Sequence, residues 1–398
     1  MDNVTHGLFG YALAQALPSA HLSERQRSAL TWTSVCASNA PDLDLIMRFF
    51  VHDQRLAYLV HHRGHTHTLL WALPLGLLCG GVIALCNGVR GWRSLAPVLG
   101  LGALAAGLHI FLDAFNNYGV HPFHPWESRW FYGDAVFIVE PLLFVVLLPP
   151  LVCGAQSRLG RIIGWGLVAL LLWLLLWAGP LSLVHGAGLA VLLVCSCALF
   201  WRVAQRAALA LLLMAGLVAG LFGASQLAEG RFVRALAQAR PAEQVLDVAR
   251  SPLPGNPLCW QAALVSVDRA GGYHGRVGAL TLLPDWLALA DCGLASSAAA
   301  QTAPTVLGTA VQARGVYLGP EFLGRREDLQ ALWRTNCRAA RALRFMRIPY
   351  WTAGQAGVIG DLRYDREPEL GFAEIPLQGS CDDPDAGWTP PRADLLTQ

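Results

Sequence analysis

The chain has 398 residues, of which 54% are hydrophobic and 14% charged, where an ordinary soluble domain carries roughly 25% charge. It therefore reads as a membrane protein. The 29 basic and 27 acidic residues leave a formal net charge of +2, and no dense basic run is interleaved with aromatics, so no nucleic-acid partner is expected.

Met1 to Ala20 pairs a short apolar stretch with small residues, but Asp2 stands where a secretory signal carries positive charge, so the segment is read as retained structure. A bilayer core of about 30 Å takes roughly 20 apolar residues per helix. Six stretches qualify or nearly do: 69–88, 95–115, 136–153, 162–180, 183–201 and 207–225. Pro149 and Pro150 end or kink the third, and Gly179-Pro180 marks the turn after the fourth. Arg90 and Arg93, Arg158 and Arg161, and Arg202 and Arg206 follow the first, third and fifth spans, which puts those loops in the cytoplasm. Residues 1–68, the 116–135 loop and everything after about 226 then lie on the other face, the periplasm of a Gram-negative inner membrane. Arg25, Arg27, Arg48, Arg55 and Arg63 fall on that outer side and run against the rule.

After residue 226 the sequence turns polar. Leucine, alanine and arginine recur at helical spacing over 230–250 and 325–346. Strand-like runs cover Trp260 to Val267, Gly278 to Leu283, Ala356 to Leu362 and Gly371 to Leu377. The fold class is thus an α-helical polytopic membrane domain, residues 1–225, with a small C-terminal α+β domain, residues 226–398. None of the 10 cysteines forms a C-x-x-C pair, and Cys79, Cys86, Cys153, Cys195 and Cys197 lie in apolar runs. Cys259, Cys292, Cys337 and Cys381 are in the polar part, where they are either free thiols or two disulfides in one of three connectivities.

Of the 12 histidines, all but two lie at or before His124. Ionisable groups in or beside apolar helices are costly and persist where they pair, ligate or act. His109 and Asp113, four apart, share a helical face and can ligate one ion; a plain histidine–carboxylate hydrogen bond is the simpler alternative. His61, His62, His65 and His67 surround Arg63-Gly64 just before the first span. Glycine permits a bend that converges imidazoles, and Arg63 can hold an anionic oxygen; a solvated turn is the alternative. Pro41-Asp42-Leu43-Asp44 supplies two carboxylates suited to metals, or else a helix cap. His6 lies on an apolar helix, where a core histidine is the commoner reading. Asn116-Asn117-Tyr118-Gly119, His121, His124, Asp134 and Glu140 make a polar loop between the second and third spans. No G-x-S-x-G elbow, Walker loop or H-E-x-x-H helix appears.

Thr5-His6, Pro41 to Asp44, His62 to Thr68, His109 to Asp113, Tyr118-Gly119 with Pro122-Phe123, and Glu140-Pro141-Leu142 together resemble the YdjM-like family of inner-membrane metal-dependent hydrolases. The resemblance covers residues 1–150, and Arg344-Phe345 with Asp361 to Tyr364 is similar to the C-terminal domain of longer members. The chain departs from the pattern at Glu140, often aspartate, and at Thr68, often serine; His65 and His124 lie outside it. The order of residues is further similar to zinc-dependent phospholipase C and single-strand nucleases. The resemblance implies that His6, Asp42, His67, His109 and Asp113 are metal ligands, with His62 a ligand or near neighbour.

The reading that follows is a membrane-bound hydrolase holding one to three divalent ions, zinc favoured, and cleaving a phosphoester of a lipid or other small molecule with metal-activated water. Arg63 would neutralise developing charge, and Asp44, Asp134 or Glu140 would serve as general base. A non-enzymatic membrane metal sensor or divalent-cation carrier is the alternative. A carrier would place its ligands at mid-membrane, whereas these gather at one end of the spans.

Overall fold

Apolar sequence folds into helix wherever no water is present to satisfy backbone groups, and the N-terminal part of the chain is almost entirely helical. The computed structural model describes residues 1–18, 21–50, 53–155, 157–178, 182–292, 310–352, 357–364, 370–381 and 387–396. His52, Gly179, Pro180 and Ala356 lie outside them. In chain order come α1 (Asn3–Ala16), α2 (Glu24–Ala37), a 3₁₀ segment (Ala40–Phe50), α3 (Gln54–His61), a 3₁₀ turn (His65–His67), α4 (Leu69–Cys86) and α5 (Trp92–Asp113). These are followed by α6 (Pro141–Gly154), α7 (Arg158–Trp173), α8 (Leu183–Arg202) and α9 (Arg206–Ala239).

Among the described residues five helices are long and apolar enough to cross a membrane: α4, α5, α7 with its extension to Trp177, α8 and α9. The third expected span, 136–153, is corrected. It begins at Pro141 rather than 136 and runs for 14 residues, because the Glu140 side chain accepts from Leu142 N–H and proline occupies the first turn.

The chain divides into two units, Met1–Leu43 with Thr66–Asn116 and Val136–Leu221, and Asp44–His65 with Asn117–Ala135 and Phe222–Gln398. In the first, α4 and α5 approach so closely that a Cβ on Gly102 would lie 2.3 Å from the Gly76 carbonyl oxygen. Residues 3–37 do not lie outside the bundle as expected. Ala29, Thr33 and Ala37, all fully buried, make a narrow stripe at i, i+4, i+8 on α2, and a Cβ on Gly80 or Gly102, in the middle of the spans, would lie 3.4 or 3.2 Å from the Thr33 methyl. The Arg25 guanidinium lies over Gly88 in the α4–α5 turn. The α1–α2 hairpin therefore turns at the Arg90 and Arg93 end of the spans, and Arg25 joins the basic residues it seemed to contradict.

The second unit carries an antiparallel five-stranded sheet, order β1-β2-β3-β5-β4, with β1 (Gln244–Leu253), β2 (Asn256–Val267), β3 (Gly272–Thr281), β4 (Val311–Ala313) and β5 (Val316–Arg325). A three-stranded sheet follows, of β6 (Pro349–Trp351), β7 (Val358–Asp361) and β8 (Glu374–Pro376). The helix expected over 230–250 ends at Ala239, since Pro241 cannot continue it and β1 starts at Gln244. The helix expected over 325–346 is split by Asn336 into α10 (Arg326–Thr335) and α11 (Cys337–Ala342), and α12 (Ala393–Leu396) comes last. Side-chain alternation along β2 gives each face a core: Trp260, Ala262 and Leu264 pack with Ala228, Phe232 and Leu236 of α9, while Ala263 and Val265 join Leu59, Tyr118, Phe345 and Ile348. The four polar-part cysteines form two disulfides, Cys259–Cys292 and Cys337–Cys381.

Candidate metal centre

Four side chains from the first unit converge. Asp42 comes from the 3₁₀ segment after α2, His67 from the turn before α4, and His109 and Asp113 from consecutive turns at the end of α5. All four are buried. One donor atom from each lies within 4.8 Å of the others. His67 Nε2 is 3.1 Å from His109 Nε2, 3.3 Å from Asp42 Oδ1 and 3.5 Å from Asp113 Oδ2. His109 Nε2 is 3.7 and 3.6 Å from the same two oxygens. Donors bound tetrahedrally to one ion at about 2.0–2.1 Å stand roughly 3.3–3.4 Å apart, so these edges fit a zinc-sized ion.

The protonation pattern agrees. His109 Nδ1 lies 2.7 Å from the Ser38 carbonyl oxygen, which only accepts, so Nδ1 carries the proton and Nε2 turns a lone pair inward. Asn3 donates to Asp42 Oδ2 at 2.9 Å, leaving Oδ1 for the histidines. Two carboxylates facing neutral imidazoles bring a charge of −2, of which the Met1 ammonium beside Asp113 offsets one. Neither Ser38 nor Asn3 was found by sequence reasoning; a backbone carbonyl leaves no residue-type signal, and Asn3 is one polar residue among many.

Residues 1–181 match the family model of the YdjM inner membrane protein. YfhP, an uncharacterized protein of Bacillus subtilis (strain 168), is 26% identical over 151 residues, 36% of this chain and 43% of YfhP. The alignment thus spans less than half of that relative's length. No solved structure matches the chain. The YdjM match contains all four converging residues and stops before the β-rich sequence. The phospholipase C likeness rests on residue order alone.

The other YdjM-region candidates fall into different arrangements. His6 stands outside the four-atom set: its Nε2 is 3.2 Å from the other oxygen of Asp113 and its ring stacks on His109 at 3.8 Å. His6 Nδ1 is buried without a hydrogen-bond partner. The Met1 ammonium also pairs with Asp113.

In the second unit His62 Nδ1 lies 3.2 Å from Asp44 Oδ1, and Asp44 Oδ2 accepts the Arg63 backbone N–H at 2.9 Å. Arg63 takes φ +59°, a conformation that costs a non-glycine residue of order 1–3 kcal/mol. Its guanidinium sits 4.7 Å over the Tyr118 ring, a cation–π contact. Gly64 is required beside it, since a Cβ there would lie 2.7 Å from the His61 carbonyl oxygen and 2.9 Å from Trp388.

Asp134 is held differently from the general base expected of it. It is buried, and Arg347 donates to both its oxygens at 2.8 and 3.0 Å. Arg250 lies 3.5 Å away, and Ser225 donates to its carbonyl oxygen. Glu140 caps α6. His65, His121 and His124 gather around Trp388, with ring centroids 5.4, 4.8 and 6.3 Å from its own.

Proposed function

We propose that this protein is a membrane-bound metal-dependent hydrolase that cleaves a phosphoester of a lipid or lipid-linked substrate at the membrane surface. The observation that carries the reading is the buried set Asp42, His67, His109 and Asp113, whose donor atoms have the mutual spacing of ligands to one ion. A divalent ion held there, zinc by the mixed imidazole and carboxylate donors, supplies Lewis acidity and lowers the pKa of water towards ~7. The protein's part is to hold the donors: Ser38 fixes the His109 tautomer, Asn3 turns Asp42, and His6 braces Asp113 from its far oxygen, where it would ligate any further ion. Arg63 is proposed as the cation for substrate phosphate and Asp44, paired with His62, as the proton acceptor, with Glu140 the alternative.

The family match supports a bacterial inner membrane. The two disulfides support an oxidising compartment, the periplasm, for the β-rich part. Lipids are the expected partners. The test is metal analysis of the detergent-purified chain, followed by phosphodiesterase and phosphatase assays on lipid phosphates with and without chelator. Chelator-sensitive turnover that His109→Ala and Asp113→Asn abolish together with bound metal is the expected result. Bound metal with no turnover of any lipid phosphate would replace the enzyme with a metal sensor.

A further inference from the structure

The β-rich unit holds a second cluster of metal-type donors, outside the YdjM match. His274 and Arg276 are alternate residues of β3 and share one face of the five-stranded sheet. Ser266 lies opposite His274 on β2, Glu321 lies opposite Arg276 on β5, and Glu243 immediately precedes β1. One donor atom each from Glu243, His274 and Glu321 lies within 4.8 Å of the others.

The orientation of His274 decides what this cluster is. Its Nε2 is 3.3 Å from Asp268 Oδ2, and Asp268 Oδ1 accepts the backbone N–H groups of Ala270 and Gly272, both at 2.8 Å. Asp268 is thus an ionised acceptor, and Nε2 carries the proton given to it. In the neutral ring Nδ1 is then a lone pair, and in the imidazolium a second N–H. It is buried without a hydrogen-bond partner, 3.4 Å from Glu321 Oε2 and 4.0 Å from Glu243 Oε1. With the neutral ring, a cation bound between that lone pair and the two carboxylate oxygens makes this placement favourable.

Charge leads to the same place. Asp268, Glu243 and Glu321 contribute three negative charges and Arg276 one positive, 1 − 3 = −2 with neutral His274. Arg276 offsets one of these charges: it donates to Glu243 at 2.6 and 2.8 Å, its Nη2 reaching Glu243 Oε1 and Glu321 Oε2 together, and Ser266 donates to Glu243 at 2.6 Å. These bonds fix both carboxylates while other lone pairs remain for a ligand. We infer that Glu243, His274 and Glu321 form a second divalent-metal site, with Asp268 orienting the histidine from behind. Carboxylate–histidine–metal relays have this form. One imidazole with two carboxylates selects zinc or manganese over calcium or magnesium. Donors on one such ion stand about 3.4 Å apart, matching the separation of His274 Nδ1 and Glu321 Oε2. The three side chains keep 7, 13 and 12% exposure in chain order, so an ion enters from solvent and a water completes its shell. The ion would tie the start of β1 to β3 and β5.

The test uses the full-length chain carrying His109→Ala and Asp113→Asn, which empties the first centre. After loading with zinc or manganese and desalting, this background should keep about one ion per chain, and zinc should raise its melting temperature. Adding Glu321→Gln, which preserves side-chain shape, or His274→Ala should reduce the bound metal at least tenfold and remove the zinc-dependent melting shift. Disulfide content and the metal-free melt report whether each variant is folded, and Glu321→Gln decides if His274→Ala is not. A background chain that binds neither metal, or Glu321→Gln and His274→Ala chains that keep it, would overturn the proposal. His274 would then be an imidazolium counter-ion to the two glutamates.

Discussion

Replacing Arg347 with methionine leaves two carboxylates facing each other in a place water scarcely reaches. Asp134 loses bonds of 2.8 and 3.0 Å and Asp247 loses bonds of 2.8 and 2.7 Å, with the two side chains only 1 and 23% exposed. Breaking a buried pair by removing one partner costs about 3–5 kcal/mol. Arg250 remains 3.5 Å from Asp134 and Arg392 3.5 Å from Asp247, so the lower end, about 3 kcal/mol, is the working figure. For a folding unit of 150–250 residues that is a fall in melting temperature of roughly 6–12 °C. The assay is thermal unfolding of the detergent-solubilised chain followed by tryptophan fluorescence. Adding Asp134→Asn to Arg347→Met should recover part of the loss, because one uncompensated charge is gone. Asp134→Asn alone should lower stability yet leave turnover per folded chain unchanged. A loss below 1 kcal/mol in Arg347→Met, or inactive but fully stable Asp134→Asn, would refute an anchoring role and return Asp134 to the chemistry.

Gly102→Val should force α4 and α5 apart, at about 1–3 kcal/mol, and reduce metal bound at His67, His109 and Asp113. Gly100→Ala, whose added methyl meets nothing within 4 Å, should do neither; metal content and melting measure both. Cys337→Ser with Cys381→Ser opens a closure of 44 residues and should cost about 2–4 kcal/mol in denaturant titration, whereas Cys36→Ser, a free thiol, should cost little. Burial raises the Asp247 carboxyl, but Arg347 and Arg392 outweigh it and hold the pKa below the ordinary value. Arg276 does the same for Glu243 against burial. Depressed carboxyls stabilise the fold above their unfolded values and lose that contribution as pH falls through the folded ones, so stability should decline below about pH 4. An acid titration that is flat from pH 5 to pH 3 would contradict both pairings.

The membrane helices and the ligand types were legible because hydropathy and histidine clustering are local signals. His67, His109 and Asp113 could be singled out from spacing and residue order. What escaped was set by distant partners. The α1–α2 hairpin could not be placed along the spans, since its small stripe, Ala29, Thr33 and Ala37, carries no hydropathy signal and acquires meaning only against Gly80 and Gly102. The pairing of Asp134 escaped because Arg347 lies 213 residues away. The 3₁₀ geometry that turns Asp42 inward and leaves Asp44 with His62 follows from backbone that alternation rules do not describe. Strands β1 and β5 were missed because glycine, proline and arginine interrupt their patterns, and β4 and β6 because three residues are too few to show one.

The pairing of Arg363 with the carbonyls of Asn117 and Tyr118, at a sequence separation of about 246 residues, sets an order of events during synthesis. At a ribosomal speed of 5–20 residues per second, roughly 10–50 s pass between emergence of the loop and of its clamp. Through that interval the loop around Tyr118, which carries the ring beneath Arg63, must wait unfinished, exposed to proteases and chaperones. Truncations that stop short of Arg363 should therefore yield inserted helices with an immature turn at Arg63.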